Sequence, residues 1–125
     1  MFPKKYTYRM VPVTDEPTEN IGKHFNPTVK FVKSVIRKDA ANVLIHCTTG
    51  NNIGACFVAA YLIKVHDFSV SQAIKHIRRQ RQKIKPTAIF TSQLENYHLI
   101  VGSERKRMLA QKEMQTYKFL NKKMN

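Results

Sequence analysis

The chain has 125 residues, of which 42% are apolar and 24% are charged. This length suits one domain with a modest core. No apolar run reaches the roughly 18 residues of a membrane span, which argues against an integral membrane protein. Met1 to Lys5 precede no apolar segment of the kind found in secretory signals. Cys47 and Cys56 give no disulfide framework, so we expect a reducing compartment, the cytoplasm or the nucleus.

Charge is the most unusual feature of the composition. The 22 Lys and Arg residues outnumber the 8 Asp and Glu residues, for a formal net charge of +14. The positive potential favours phosphate-bearing or acidic partners. Nonspecific contact with nucleic acid or phospholipid through the basic surface is a second hypothesis. The composition predicts no oligomeric state.

The first elements predicted are a strand and a helix. Aromatic and aliphatic residues alternate with polar ones over 6–13, which is typical of a strand. Residues 15–18 contain a proline and form a predicted loop. Asn26 and Pro27 have the pattern of an N-cap followed by a first helical residue, and the helix is predicted to run to about Lys38.

A second strand and a central helix surround the first cysteine. Residues 43–45 are short, apolar and β-branched, as in a strand buried on both faces. The helix predicted after the cysteine turn is apolar nearly all round, with an uninterrupted stretch at 55–63. Such a helix belongs in the centre of a fold.

Helices follow to the end of the chain. Ser69 and Gln72 form a capping-box pattern at the start of one helix. Thr87 is the predicted cap of the next helix, which Gly102 is expected to end or interrupt. Residues 1–101 are therefore predicted to form the domain, and residues 102–125 a basic C-terminal helical tail.

The alternation of strands and helices predicts an α/β layered fold. In such folds ligands bind where a strand ends and the next helix begins, and residues 46–52 have that position. Backbone amides and a helix N-terminus converge there into an anion-binding loop, which Gly50 allows to turn inward. The same donors would stabilise the thiolate of Cys47 as a nucleophile. A buried structural cysteine at a strand end is the alternative.

The stretch "HCTTGNNIG" resembles the phosphate-binding loop of the cysteine-based protein phosphatases, in which His-Cys is followed after five residues by Arg and Ser or Thr. The similarity is greatest to the dual-specificity group and to its phospho-Ser/Thr/Tyr-interacting pseudophosphatases. "VPVTDEPTENI" resembles the acid loop of that group, and "RRQRQKIKPTAIFTSQLENY" its C-terminal helix pair.

The resemblance implies a fold and a site. The fold is a layered α/β fold with a central, mostly parallel sheet flanked by helices. Because the family's domain ordinarily begins with further strands and a helix, the chain is expected to be N-terminally shortened. Cys47 falls on the nucleophile, His46 on the histidine before it and Asp15, 32 residues upstream, on the general acid. The phosphate-binding positions are Thr48, Thr49, Gly50, Asn51, Asn52 and Ile53, with no metal and no cofactor.

Two positions depart from the family pattern. Ile53 stands where the family has its arginine, and Gly54 stands where it has Ser or Thr. A phosphate dianion facing a thiolate brings about three negative charges together, which the guanidinium normally balances with a bidentate contact. Losing one oxyanion donor typically costs ~2.7–4 kcal/mol, or about 10²–10³ in rate. Lys64 and the pair Arg78 and Arg79 are the candidates for a substitute cation.

The resemblance therefore implies a catalytically impaired pseudophosphatase that binds phosphorylated or acidic protein partners. A weakly active Ser/Thr/Tyr phosphatase that works through a cysteinyl-phosphate intermediate is the first alternative. A relative of the RNA 5′-triphosphatases that binds RNA or polyphosphate is the second, supported by the +14 charge. The predicted helix pair after Arg78 argues against this second alternative.

Overall fold

The computed structural model of the chain describes residues 6–39, 42–47 and 52–124. It contains four α-helices, which are α1 (Phe25–Asp39), α2 (Ile53–His66), α3 (Val70–Gln80) and α4 (Ala88–Met124). A short 3₁₀ turn, Gly22–His24, leads into α1. In these described ranges no residue is in a β-strand.

The predicted central sheet is therefore absent from the part of the chain that is described. The two segments expected to be strands, 6–13 and 43–45, have no regular secondary structure. Both line a cavity of about 1310 Å³ against α1 and α2. Alternation of apolar residues indicates which side of a segment is buried. A strand also needs a neighbouring strand to pair with its backbone N–H and C=O groups.

Val11 and Val13 are partly buried and pack against the core, whereas Tyr6, Tyr8 and Met10 of the same alternation are exposed. The prediction that 43–45 is buried on both faces is wrong, because Leu44 is 85% exposed.

Helix α2 is the centre of the fold, as its composition predicted. It packs against α1, α3 and α4. Nine of its residues are buried, and they begin at its first residue, Ile53. Phe25 of α1, Ile63 of α2 and Phe90 of α4 are among the largest of the fully buried side chains. This arrangement places the N-terminus of α2 directly after the cysteine segment.

The capping predictions are confirmed for two helices and wrong for one. The Ser69 hydroxyl accepts a hydrogen bond from the Gln72 backbone N–H at 3.1 Å. The Gln72 side-chain oxygen accepts one from the Ser69 backbone N–H at 2.9 Å. The Thr87 hydroxyl accepts the Phe90 amide at 3.4 Å. Helix α1, in contrast, begins before the predicted N-cap, and Asn26 instead accepts the Tyr97 hydroxyl at 2.6 Å.

Helix α4 continues through Gly102, where the sequence predicted an end or an interruption. A glycine inside a helix costs about 1 kcal/mol relative to alanine, which good helix formers on both sides can offset. Arg105 then fixes the helix to the C-terminus of α2. Its guanidinium donates to the carbonyls of Lys64, at 2.6 Å, and Ile63, at 3.2 Å, and pairs with Asp67.

Burial along α4 changes abruptly near this anchor. Phe90, Leu94, Tyr97 and Val101 are buried in the core. Every residue from 106 to 124 is exposed, and we call this segment the projecting half of α4. We call the described residues between 21 and 105, which include α2 and the elements that pack around it, the body. The division of the chain into a domain at 1–101 and a tail at 102–125 stays a prediction.

Within the described residues, no helix combines the length and the apolarity that a membrane span requires.

Candidate active site

The candidate site lies where the segment 42–47 ends and α2 begins. Cys47, at the end of that segment, is half-buried. Its Sγ accepts a hydrogen bond from the backbone N–H of Gly54 at 3.4 Å. Because Gly54 is the second residue of α2, this N–H is one of the donors that a helix leaves unpaired at its N-terminus. The positive end of the helix dipole therefore faces the thiol.

The second cysteine has a different environment. Cys56 is fully buried in the core. Burial, with smaller contributions from the charges of Cys47 and Asp15, raises the pKa of its thiol from the ordinary 9.0 to about 12. Cys56 is therefore a neutral thiol in the physiological range. Of the two cysteines, Cys47 is the more accessible, and its role as a nucleophile stays a prediction.

The general-acid position is connected to the cysteine loop through Asn52. The Asn52 side-chain amide donates to Asp15 Oδ1 at 3.0 Å, and its carbonyl oxygen accepts the Thr87 backbone N–H at 3.0 Å. Asn52 itself is 8% exposed and immediately precedes α2. One buried side chain thus joins the loop that carries Asp15, the start of α2 and the start of α4.

The sequence motif assigns Asn52 to phosphate binding and gives no indication of this bridging contact. The signal available was an amide, which has both a donor and an acceptor, in a loop otherwise rich in small residues. The pairing with a carboxylate 37 residues upstream depends on how the chain folds back. The phosphate-binding role of Asn52 stays a prediction.

Ile53 occupies the arginine position as an apolar core residue. It is 8% exposed and belongs to the main cluster of buried side chains. It also lines the cavity of about 1310 Å³, together with Asp15, His46, Cys47 and Gly54. The structure therefore brings four of the predicted site positions and their neighbouring histidine to one cavity. The four phosphate-binding positions 48–51 lie outside the described residues.

Gly54 leaves space beside the thiol. A Cβ at this position would lie 3.5 Å from Cys47 Sγ and 3.9 Å from its nearest other neighbours, the Cys47 amide nitrogen and the Ile45 side chain. These are ordinary van der Waals distances. The Cβ that the family's Ser or Thr has at this position therefore meets no close contact here.

Two of the three substitute cations that the sequence offers, Lys64 and Arg78, contact other groups. Lys64 Nζ lies 3.3 Å from Glu104 Oε2, and the Arg78 guanidinium donates to the Ile84 carbonyl at 3.4 Å. Neither residue lines the cavity. Among the described residues of its wall, Arg9 is the one Lys or Arg, and its Nε donates to Thr28 Oγ1 of α1 at 3.4 Å. Sequence reasoning did not single out Arg9, because it lies in the middle of a predicted strand.

In the described ranges, no three His, Cys, Asp or Glu side chains come together as a metal site would require.

Comparison with known proteins identifies the family. The family model described as "Dual specificity phosphatase, catalytic domain" matches residues 2–99. The chain is a member of the dual-specificity phosphatase family. It is 31% identical to a protein phosphatase Slingshot homolog of Xenopus laevis over 85% of this chain, and 31% identical to dual specificity protein phosphatase 1 of Arabidopsis thaliana over 75%.

Solved structures place the chain in the same α/β fold family. It matches the human tyrosine phosphatase-like serine/threonine/tyrosine-interacting protein with a TM-score of 0.68 and 31% identity, over 70% of this chain and 58% of that one. It matches the crystal structure of DUSP15 with a TM-score of 0.73 and 28% identity, over 84% and 67%. The chain spans 15% of the Xenopus relative and 47% of the Arabidopsis relative.

Proposed function

We propose that this member of the family binds phosphorylated or acidic protein partners at the Cys47 loop and hydrolyses phosphate esters poorly. The observation that carries the proposal is the position of Ile53, which begins α2 as a buried apolar residue where the family has its arginine. The one Lys or Arg on the described cavity wall is Arg9, whose side chain contacts α1.

The loss of charge affects the transition state more than the ground state. Binding of a phosphate can rely on backbone N–H groups and a helix N-terminus, and Gly54 has such an N–H beside the thiol. Phosphoryl transfer needs a cation that follows the equatorial oxygens as charge develops on them. Isoleucine has no such charge, so binding can persist where turnover is lost.

Gly54 adds a second defect. In the family this position has a hydroxyl that assists departure of the cysteine in the hydrolytic step. Glycine has no side chain, so no hydroxyl at this position lies beside Cys47 Sγ. Any cysteinyl-phosphate that formed would therefore break down slowly.

One feature favours the alternative, a weakly active phosphatase. Asp15 lines the same cavity as Cys47 and is held by the Asn52 amide. The nucleophile position and the general-acid position are thus both retained. Since such a site could still turn over slowly, the test must measure binding and chemistry separately.

The test compares phosphopeptide binding with turnover in the full chain. We expect phosphotyrosine or phosphothreonine peptides, followed by fluorescence anisotropy, to bind and to be displaced by inorganic phosphate. A Cys47→Glu variant should abolish this binding by placing a negative charge at the loop, whereas the neutral, similarly sized Cys47→Gln variant should retain most of it. Equal binding by both variants would place the peptide elsewhere and overturn the proposal.

The chemistry is tested with an aryl phosphate such as p-nitrophenyl phosphate. The proposal predicts no burst and only slow release of the phenol. A burst that disappears in Cys47→Ser and persists in Cys56→Ala would instead establish the phosphatase. Cys56 is the matched control because it is the chain's other cysteine and is fully buried in α2.

Restoring the charge at position 53 should restore part of the activity. We expect Ile53→Arg combined with Gly54→Ser to raise turnover by about 10²-fold or more, the typical effect of one oxyanion donor. Ile53→Met with Gly54→Ser is the matched control, because methionine has a similar size and no charge. An equal effect of both pairs would exclude the missing charge as the main defect.

A further inference from the structure

The projecting half of α4 leaves the body from a fixed base. Glu104 accepts from Lys64 Nζ at 3.3 Å, and Arg105 binds the C-terminal carbonyls of α2. Beyond these contacts all 19 residues from 106 to 124 are exposed. At 1.5 Å per residue they extend about 28 Å. A long helix with a fixed base and an uncovered surface is a candidate for recognition by another molecule.

Six of the eight apolar residues of this segment lie on one side of the helix. At about 100° per residue, they occupy an arc of roughly 140°. We call this surface the apolar arc, and its members are Leu109, Ala110, Met114, Tyr117, Leu120 and Met124. The larger of them are between 52 and 84% exposed. Helices that stay in water rarely present so many large apolar side chains on one surface.

The charge of the projecting half argues against a second copy of this chain as the molecule that covers the apolar arc. Residues 106–124 contain six Lys or Arg and one acidic residue, Glu113, for a net charge of +5. Five of the six basic residues lie outside the apolar arc, at 107, 112, 118, 122 and 123. Pairing two copies along this segment would bring like charges together, whereas an acidic partner would be complementary.

Two charges argue for a protein groove rather than a bilayer. Lys106 and Glu113, seven residues apart, lie at the centre of the apolar arc. A bilayer that accepted the arc would have to desolvate both without partners. A protein groove can supply a partner for each. Met108 and Phe119 form a second apolar strip on the opposite side, where Lys123 Nζ lies 5.1 Å from the Phe119 ring centre. A partner that encloses the helix would contact both surfaces.

We propose that the projecting half of α4 is a recognition helix for an acidic protein that encloses it in an apolar groove. The apolar arc supplies the anchors, and the surrounding Lys and Arg residues supply attraction and orientation. This site is separate from the Cys47 loop. Its occupancy therefore does not depend on whether the loop binds phosphate.

The test uses the full chain and purified calcium-loaded calmodulin as the probe, since this acidic protein opens apolar grooves for basic amphipathic helices. We expect a 1:1 complex by isothermal titration calorimetry with a Kd of about 1 µM or lower. Calmodulin with calcium removed by EGTA is the matched control, because it stays acidic while its grooves close. We expect its binding to be at least 30-fold weaker.

Variants separate the apolar anchors from the charge. We expect Leu109→Gln and Leu120→Gln each to weaken binding by about 10-fold or more, the usual effect of losing a buried leucine contact. Ile100→Gln is the matched control, because Ile100 has a similar exposure, 53%, on the same helix before the projecting half. It should change the Kd by less than twofold.

Three results would overturn the proposal. Binding that is equal with and without calcium, or unaffected by the leucine variants, would mean attraction by charge alone. Binding to vesicles of phosphatidylcholine and phosphatidylserine with none to calcium-loaded calmodulin would make the segment a membrane-surface helix. In the third result, the chain would fail to bind calmodulin and instead form concentration-dependent dimers that Leu109→Gln and Leu120→Gln abolish. That result would mean that a second copy of the chain covers the apolar arc.

Discussion

The two halves of α4 have similar helical patterns and opposite environments. The first half buries Phe90, Leu94, Tyr97 and Val101 against α2 and the rest of the body. The projecting half also has large apolar residues at helical spacing, and all of them are exposed. The pattern in each half predicts a helix with an apolar face. Only contact with another element decides whether that face becomes part of the core.

The largest expected difference between the halves concerns stability. Leu94 is fully buried, whereas Leu120 is 52% exposed. We expect Leu94→Ala to lower the free energy of unfolding by about 2–5 kcal/mol, because it removes buried methyl groups and leaves a cavity. Leu120→Ala should change it by less than about 0.5 kcal/mol. Urea denaturation followed by circular dichroism measures both, and equal effects would mean that the projecting half packs in solution.

The next effect concerns the contact that ties the start of α4 to the site. Asn52→Ala removes the partner of the Thr87 amide and the donor to Asp15. We expect a loss of about 1–3 kcal/mol of stability, since a part-buried N–H loses its acceptor. Asn52→Asp is the comparison, because its carboxylate can still accept the amide but faces Asp15 with a like charge. If Asn52→Ala were as stable as the wild type, the contacts of Asn52 with Asp15 and Thr87 would contribute nothing to stability.

The last effect is a pH dependence that arises from a buried thiol of the body. Folding raises the pKa of Cys56 from 9.0 to about 12, so the folded chain holds this proton more tightly than the unfolded chain. The associated stability is fully present below pH 9 and is lost as pH rises toward 12. The slope is at most about 1.4 kcal/mol per pH unit.

The measurement is the free energy of unfolding at pH 8, 9.5 and 10.5 in the wild type and in Cys56→Ala. The variant should show the shallower decline. Cys47→Ala is the control for general effects of losing a thiol. If the two variants declined in parallel with the wild type, the buried thiol would make no contribution to the pH dependence.

The sequence determined a large part of the helical structure. The Ser69 capping box and the Thr87 cap depend on residues three apart, so their geometry is local. The apolar composition of α2 required a central place in the fold, which it has. The motif around Cys47 was sufficient to indicate the phosphatase family, because its residues are close together in the chain.

Tertiary structure decided what depended on distant partners. The segments 6–13 and 43–45 have strand patterns without strand pairing in the described residues, because a ladder needs a neighbour that no local pattern specifies. The contact of Asn52 with Asp15 and Thr87 joins positions 37 and 35 residues apart. The exposure of residues 106–124 likewise follows from where the body ends, which the helical pattern of α4 does not encode.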